Sequence, residues 1–238
     1  MLSRKKIEIP PCENCASRYK SIFCDLDILE LEKLSEHKGC AFYKRGQIIF
    51  REDAYPHGLF CVNKGKVKIS KTGTEGKEQI VRFAKEGDIL GYRSLLGGEA
   101  YTASAFAIED TDICYIPKEV FFQILENNTR FSMNVMKQLT EDLKAAENKL
   151  INIAQKPVRQ RLAEALLFLK EMYGLEEDRK TLNVMLKREE IANMIGTSIE
   201  SAIRLLSDFN KDKLVKLNGK KIVLLNYKEL IRIANVFD

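Results

Sequence analysis

The sequence predicts an α+β protein. An N-terminal antiparallel β-roll of the jelly-roll type is followed by one long helix and a C-terminal winged helix-turn-helix. Three observations carry this. Between about Cys40 and Pro117, six short β-rich runs are punctuated by Gly46, Gly65, Gly73, Gly76 and Gly87, the texture of a sandwich or barrel. From about Arg130 to Ile153, apolar residues recur at alternating spacings of three and four, which is a helical seam. Finally, Lys187–Asn226 holds two short helical patterns joined at Gly196, then a basic hairpin. A chain of 238 residues is long enough for two cores.

Taken in order, residues 1–27 form an arm. Pro10-Pro11 gives it an extended entry, and it carries Cys12, Cys15 and Cys24. Residues 28–128 form the roll. A short helical pattern at Leu29–Leu34 leads to strands at Gln47–Arg51, Leu59–Val62, Val67–Ser70, Gln79–Phe83, Ala103–Ile108 and Ile113–Ile116, and a short helix at Lys118–Glu126 closes it. Between the fourth and fifth strands lies a Gly-framed cassette, Gly87–Ala103. Its helical turn after Gly91 offers free backbone N–H groups that could hold an anion. The pocket candidates are Gly91, Tyr92, Arg93, Ser94, Tyr101 and Thr102.

Residues 129–155 form the long helix. Met136, Leu139, Leu143, Ala146, Leu150 and Ile153 make a stripe with Lys137, Glu141, Asp142, Lys144, Glu147 and Lys149 outside it. A stripe this narrow suits a helix paired with its own copy; a helix lying on its own domain usually shows a wider apolar face. Lys156-Pro157 stops the helix, because proline cannot continue the hydrogen-bond ladder. Residues 156–238 form the last domain. Val158–Tyr173 is amphipathic through Leu162, Ala165, Leu166 and Leu169, and Leu182–Leu186 reads as a small strand.

The helix-turn-helix follows. Arg188–Ile195 places Ile191, Met194 and Ile195 on one face; Ile199–Asn210 buries Ala202, Leu205, Leu206 and Phe209. Ser198 can cap the second helix, and Gly196 suits the tight turn. The outward positions are then Ile199, Glu200, Ile203 and Arg204, where a recognition helix meets the major groove. Asn218-Gly219 between two apolar runs predicts a hairpin turn, and Lys216, Lys220 and Lys221 make it a basic wing. From Gln155 onward there are 16 Lys/Arg against 12 Asp/Glu, which is +4 of the net +5. This bias suits a phosphate backbone.

Other classes fare worse. No run of about 20 apolar residues suits a membrane span, and the N-terminus lacks the apolar region of a secretory signal. Six cysteines without a signal fit a reducing cytoplasm, where clustered thiols serve as metal ligands or redox groups. An enzyme is not expected. The two histidines, His37 and His57, stand in no ligand or nucleophile–base spacing, and no phosphate-loop or dinucleotide fingerprint occurs. The competing function is a cytosolic metal or redox protein whose C-terminal domain binds protein rather than DNA.

Together, KRGQIIFRED (44–53), LFCVNKGKVKIS (59–70), VRFAKEGDILGYRSLL (81–96), KPVRQRLAEALLFL (156–169) and TSIESAIRLL (197–206) resemble the Crp/Fnr family of bacterial transcription regulators. The resemblance implies a roll like a cyclic-nucleotide-binding domain. It also implies a homodimer on a two-fold-related site in double-stranded DNA, RNA polymerase as a partner, and an effector acting through the roll or arm. In the recognition helix, Glu200 and Arg204 match the family's base-reading pair. Arg204 would then donate to guanine and Glu200 accept from cytosine, while apolar Ile199 would favour a thymine methyl.

Two regions depart from the cyclic-AMP-binding members. Where those have a ribose-binding Glu and a phosphate-binding Arg-Ser pair, this chain has Tyr92 and Tyr101-Thr102, which argues against cyclic AMP because a buried phosphate needs a cation. The oxygen-sensing branch instead holds a [4Fe–4S] cluster on three N-terminal cysteines and one in the roll, and Cys12, Cys15, Cys24 and Cys114 fall at those places. Eight residues separate Cys15 from Cys24, against five in the usual pattern. Zinc on the same four cysteines, or no metal with Cys114 as a small core residue, are the other readings. The acidic residue that weakens dimerisation in that branch is matched by Ala146, so the resemblance implies an effector that reorients the recognition helices of a standing dimer.

Overall fold

The computed structural model describes residues 10–73 and 76–235. Residues 1–9 of the arm lie outside the described residues. After Pro10-Pro11 the arm coils into two 3₁₀ turns, Cys12–Asn14 and Ala16–Lys20, and its Ile22, Phe23 and Leu26 are buried. Pro11 still sets the entry, but the apolar side chains that follow are worth more inside than in water. Helix α1 (Ile28–His37) begins with a reciprocal cap. Asp27 accepts from the Glu30 amide at 2.9 Å, and the Glu30 carboxylate accepts from the Asp27 amide at 3.0 Å, satisfying two amide donors at the helix entry.

The roll consists of β1 (Gly39–Tyr43), β2 (Ile48–Phe50), β3 (Gly58–Lys64), β4 (Val67–Thr72), β5 (Glu78–Ala84), β6 (Ile89–Leu90), α2 (Tyr92–Gly97), β7 (Ser104–Ala107), β8 (Thr111–Pro117) and α3 (Lys118–Asn127). The strands form two four-stranded sheets, ordered β1-β8-β3-β6 and β2-β7-β4-β5. Ile49, Val62, Val67, Ile69, Ala105 and Ile113 belong to one buried cluster. A second cluster joins the arm, α1, β3, β8 and α3 to Phe131 and Val135. Each of the six expected strands is present. β1 and β6 are additional: β1 is an edge strand without the period-two alternation of a half-buried strand, and β6 has only two residues.

The long helix α4 runs Thr129–Gln155. After it come α5 (Val158–Tyr173), α6 (Arg188–Ile195), α7 (Ile199–Lys211), β9 (Val215–Asn218), β10 (Lys221–Leu224) and α8 (Tyr227–Ala234). The chain divides into two units, residues up to Lys71 with Val81–Leu143, and Thr72–Ile80 with the chain from Lys144. In the second, Leu162, Ala165, Leu166 and Leu169 of α5 are buried as the periodicity requires. Helix α8, which the sequence did not predict, packs on α5 and has Leu230 and Ala234 buried. The strand expected at Leu182–Leu186 reduces to isolated bridges, Leu175 to Leu182 and Thr181 to Val223; Leu182, Val184 and Leu186 are buried while Asn183 and Met185 face out, but the segment has no continuous partner strand.

The wing also turns one residue later than expected. Asn218 pairs with Lys221, so the two loop residues are Gly219 and Lys220. Gly219 has φ +60°, while Lys220 is not among the residues of positive φ. That is the pattern of a type II′ turn, which wants glycine first.

Candidate nucleic-acid interface and sensor site

Helix α7 is prepared for an outside partner. Ser198 caps it by accepting from the Ser201 amide at 3.2 Å. Ala202, Leu206 and Phe209 anchor its inner face, while Ile199, Glu200, Ile203 and Arg204 are exposed. Leu205, expected inside, is half-buried, because it lies at the rim of the stripe. Backbone and Ser198 hydrogen bonding holds the Glu200 carboxyl below its ordinary pKa, so it is an acceptor at neutral pH. On the wing, Lys216 and Lys220 are exposed, whereas Lys221 is engaged with Glu176 at 2.8 Å.

The turn before α7 depends on a residue that periodicity did not single out. Gly196 ends α6 with φ +65°. The Arg161 guanidinium donates to the Ile195 carbonyl at 2.9 Å and to Gly196 at 3.2 Å. It also donates to Ile153 at 3.0 Å and Lys156 at 2.9 Å, at the end of α4. One cation thus satisfies carbonyls at two helix C-termini, where the helix dipoles favour positive charge. Arg188 adds a bond from α6 to the wing carbonyl of Gly219 at 2.8 Å. The one sequence signal was position: an arginine four residues after the proline that starts α5.

On α4, the seam residues Met136, Leu143, Ala146, Leu150 and Ile153 are exposed, Leu143 at 61% and Leu150 at 70%. Leu139 is half-buried against the roll's core. Between them sits Asp142, whose carboxylate takes Arg82 at 2.8 Å, the Tyr92 hydroxyl at 2.9 Å and Gln138 at 3.1 Å. Its side chain is only 11% exposed, and a carboxylate so placed requires those partners.

The cassette pocket is small. Its cavity of about 40 Å³ is lined by Phe50, Arg82, Gly91, Tyr92, Arg93, Ser94, Tyr101 and Thr102, far below the ~300 Å³ at which ligand pockets begin. Tyr101 stacks on Phe50 with centroids 4.1 Å apart, and its ring lies 2.9 Å from where a Cβ on Gly91 would stand. Burial pushes the Tyr101 phenol up to about 12. Burial, then the Asp142 charge, raises Tyr92 further. Both stay neutral, so the tyrosines fill the pocket as rings.

The structure does not gather the four cysteines of the cluster reading. Cys15 is buried, its Sγ 2.9 Å from Ser17 Oγ and 3.3 Å from Asn63 Oδ1. Cys24 lines a separate cavity with Lys20, Asp88, Asn134 and Glu141. Cys114 lies against Cys40, sulfur to sulfur 3.8 Å. Among the described residues, no three His, Cys, Asp or Glu side chains converge to hold a metal ion. As arranged, Cys12, Cys15, Cys24 and Cys114 do not fit a [4Fe–4S] cluster or zinc. Cys61 is a buried core residue beside them: burial raises its thiol to about 12, helped by Cys15 and Cys12. Burial, then Cys40 and Cys61, also raises Cys114.

A β-roll, a long helix with an open apolar seam and a capped helix projecting beside a β-wing together define a winged helix-turn-helix regulator. Residues 41–128 match the family described as cyclic nucleotide-binding domain, and residues 160–233 the Crp-like helix-turn-helix domain. The fumarate and nitrate reduction regulatory protein of Vibrio cholerae is 25% identical over 229 residues, covering 94% of this chain and 90% of that one. The transcriptional activator protein Anr of Pseudomonas aeruginosa is 24% identical over 225 residues, covering 94% and 92%. The structure of FixK2 from Bradyrhizobium japonicum superposes with a TM-score of 0.76 at 21% identity, covering 84% of this chain and 99% of that one, and so shares the fold. The chain belongs to the Crp/Fnr family and is a DNA-binding transcription regulator of that kind. A C-terminal domain that binds protein instead is not favoured by the helix-turn-helix match.

Proposed function

We propose that the protein reads a two-fold-related DNA site as a homodimer, through Glu200 and Arg204 of each α7, with Ile199 and Ile203 adding apolar contacts. Ser198, Lys216 and Lys220 serve the backbone phosphates. Lys221 joins them once released from Glu176. The carrying observation is the exposed outer face of α7: Glu200 and Arg204 form no ion pair with each other among the described residues, so both are available to base edges. The open seam on α4 supports pairing through Met136, Leu143, Ala146, Leu150 and Ile153. Asp142, beside Leu143 and gripped by Arg82 and Tyr92, supports a route from the roll to that seam. RNA polymerase as partner and a cytoplasmic setting follow from the family; no helix among the described residues is long and apolar enough to cross a membrane. In this role the protein is a regulator and not a catalyst.

The test begins with duplexes selected from a random pool by the wild-type protein. Affinity should fall steeply with added salt. Arg204→Ala should lose ~1–3 kcal/mol, roughly ten- to a hundredfold, with its melting temperature unchanged. Equal affinity in the variant would end the direct-readout role.

A further inference from the structure

Three neighbouring strands of the first sheet carry cysteines at one level. Cys40 on β1 is paired in register with Cys114 on β8, and Cys114 with Cys61 on β3. Cys40 is exposed on the edge strand; Cys114 and Cys61 are buried, and all three are free thiols. The Cys40 and Cys114 sulfurs stand 3.8 Å apart. Directly opposed residues of an antiparallel pair have Cα atoms ~4.5–5.5 Å apart, inside the ~4.4–6.8 Å that a disulfide spans. Reaching the bonded length of about 2.05 Å takes a sulfur movement under ~2 Å, which rotation of the exposed Cys40 side chain supplies. We propose that Cys40 and Cys114 are a dithiol that hydroperoxides oxidise to a cross-strand disulfide, with Cys40 as the sulfur oxidised first.

The electrons balance without a metal. Cys40 sulfur, as thiolate, attacks the terminal peroxide oxygen. The O–O bond breaks, and the leaving alkoxide takes up the proton that Cys40 gave up, forming an alcohol (water when the peroxide is hydrogen peroxide). Cys40 is now a sulfenic acid. Cys114 sulfur attacks Cys40 sulfur, the S–O bond breaks, and hydroxide leaves with the Cys114 proton as water. Two thiols lose two electrons in total and the peroxide gains two. Cys61 flanks Cys114 on the other side but is buried, so it does not meet the oxidant first. In reducing compartments such bonds are transient and redox-sensing. The bond would tie edge strand β1 to β8 and consume the Cys114 thiol, which then could serve no metal.

Oxidation can be read directly, whichever DNA the protein recognises. Reduced full-length protein is treated with hydrogen peroxide, blocked with N-ethylmaleimide and digested without reductant for mass spectrometry. A Cys40 peptide linked to a Cys114 peptide, released by dithiothreitol, is expected. Cys61→Ser should still form it; Cys40→Ser should form no link to Cys114. Circular dichroism of each variant checks the fold, and Cys40, on an exposed edge, tolerates serine. A link from Cys114 to Cys61 or to an arm cysteine would overturn the proposal. So would Cys40 advancing to sulfinic acid while Cys114 stays alkylated.

Discussion

Helix α7 and the cysteine-bearing sheet of the roll deploy their reactive groups in opposite ways. On α7, Glu200 and Arg204 face outward, while the rigidity comes from behind, from Phe209 in the core and Arg161 on the preceding turn. In the sheet, Cys61 and Cys114 are buried and their thiols raised in pKa, with Cys40 alone of that row at the surface. A preformed output face needs only its partner. An interior thiol stays neutral, and thiolate chemistry there waits for a movement or an oxidant that enters from the edge.

The sharpest way to break this comparison is to deny the output its second copy. Leu143 is exposed on the α4 seam. Leu143→Glu would bury two unpaired carboxylates across a homodimer seam, costing ~3–5 kcal/mol by the measure of broken buried pairs. Sedimentation should show monomers, with the fold of each unit intact by circular dichroism. A dimer that survives would move the interface off α4.

A smaller effect tests the support behind α7. Arg161→Ala removes donors from four carbonyls, of which the part-buried ones at Ile195 and Lys156 matter most; ~1–3 kcal/mol is the scale of such a loss. Thermal melting should fall and DNA affinity with it, although Arg161 need not touch DNA. Arg161→Lys should recover only part, because one ammonium cannot reach as many carbonyls as a guanidinium fork. Unchanged melting in the alanine variant would mean that Gly196 and the core position α7 unaided.

The contrast also explains what could be read from the sequence. α7 and α5 were legible because helical periodicity sorts inside from outside within one segment, and Ala202, Leu206 and Phe209 were named that way. Sites built from distant segments were not. Arg161 acts on carbonyls about 35 residues away, and the Asp142 grip joins α4 to β5 and α2. The Cys40–Cys114–Cys61 row depends on strand register, and β1 offered no alternation to reveal it. Cys24 matched a motif by approximate spacing, yet it lines a cavity that Cys114 does not share, and Cys114 lies against Cys40 instead. The wing differed by one residue because Asn-Gly serves equally as loop or as strand end plus loop, and pairing of Asn218 with Lys221 decides it.

The smallest effect probes the interior thiols themselves. An ordinary cysteine has a pKa near 9.0, and burial raises Cys61 to about 12. Below pH 9 both folded and unfolded chains keep this proton, and the contribution to stability is complete. Between pH 9 and about 12 the unfolded chain releases the proton while the folded chain retains it, so stability falls as pH rises, by about 1.4 kcal/mol per pH unit at most for one thiol. Urea midpoints of wild type and Cys61→Ala at pH 8 and pH 10 measure that part together with the smaller push that Cys61 gives Cys114, which acts in the same direction. The variant will be less stable at pH 8 through its cavity, but its further loss at pH 10 should be the smaller of the two. Equal losses would mean that Cys61 ionises in the folded sheet as readily as in the open chain, and the interior thiols would then share the availability of the outward face of α7.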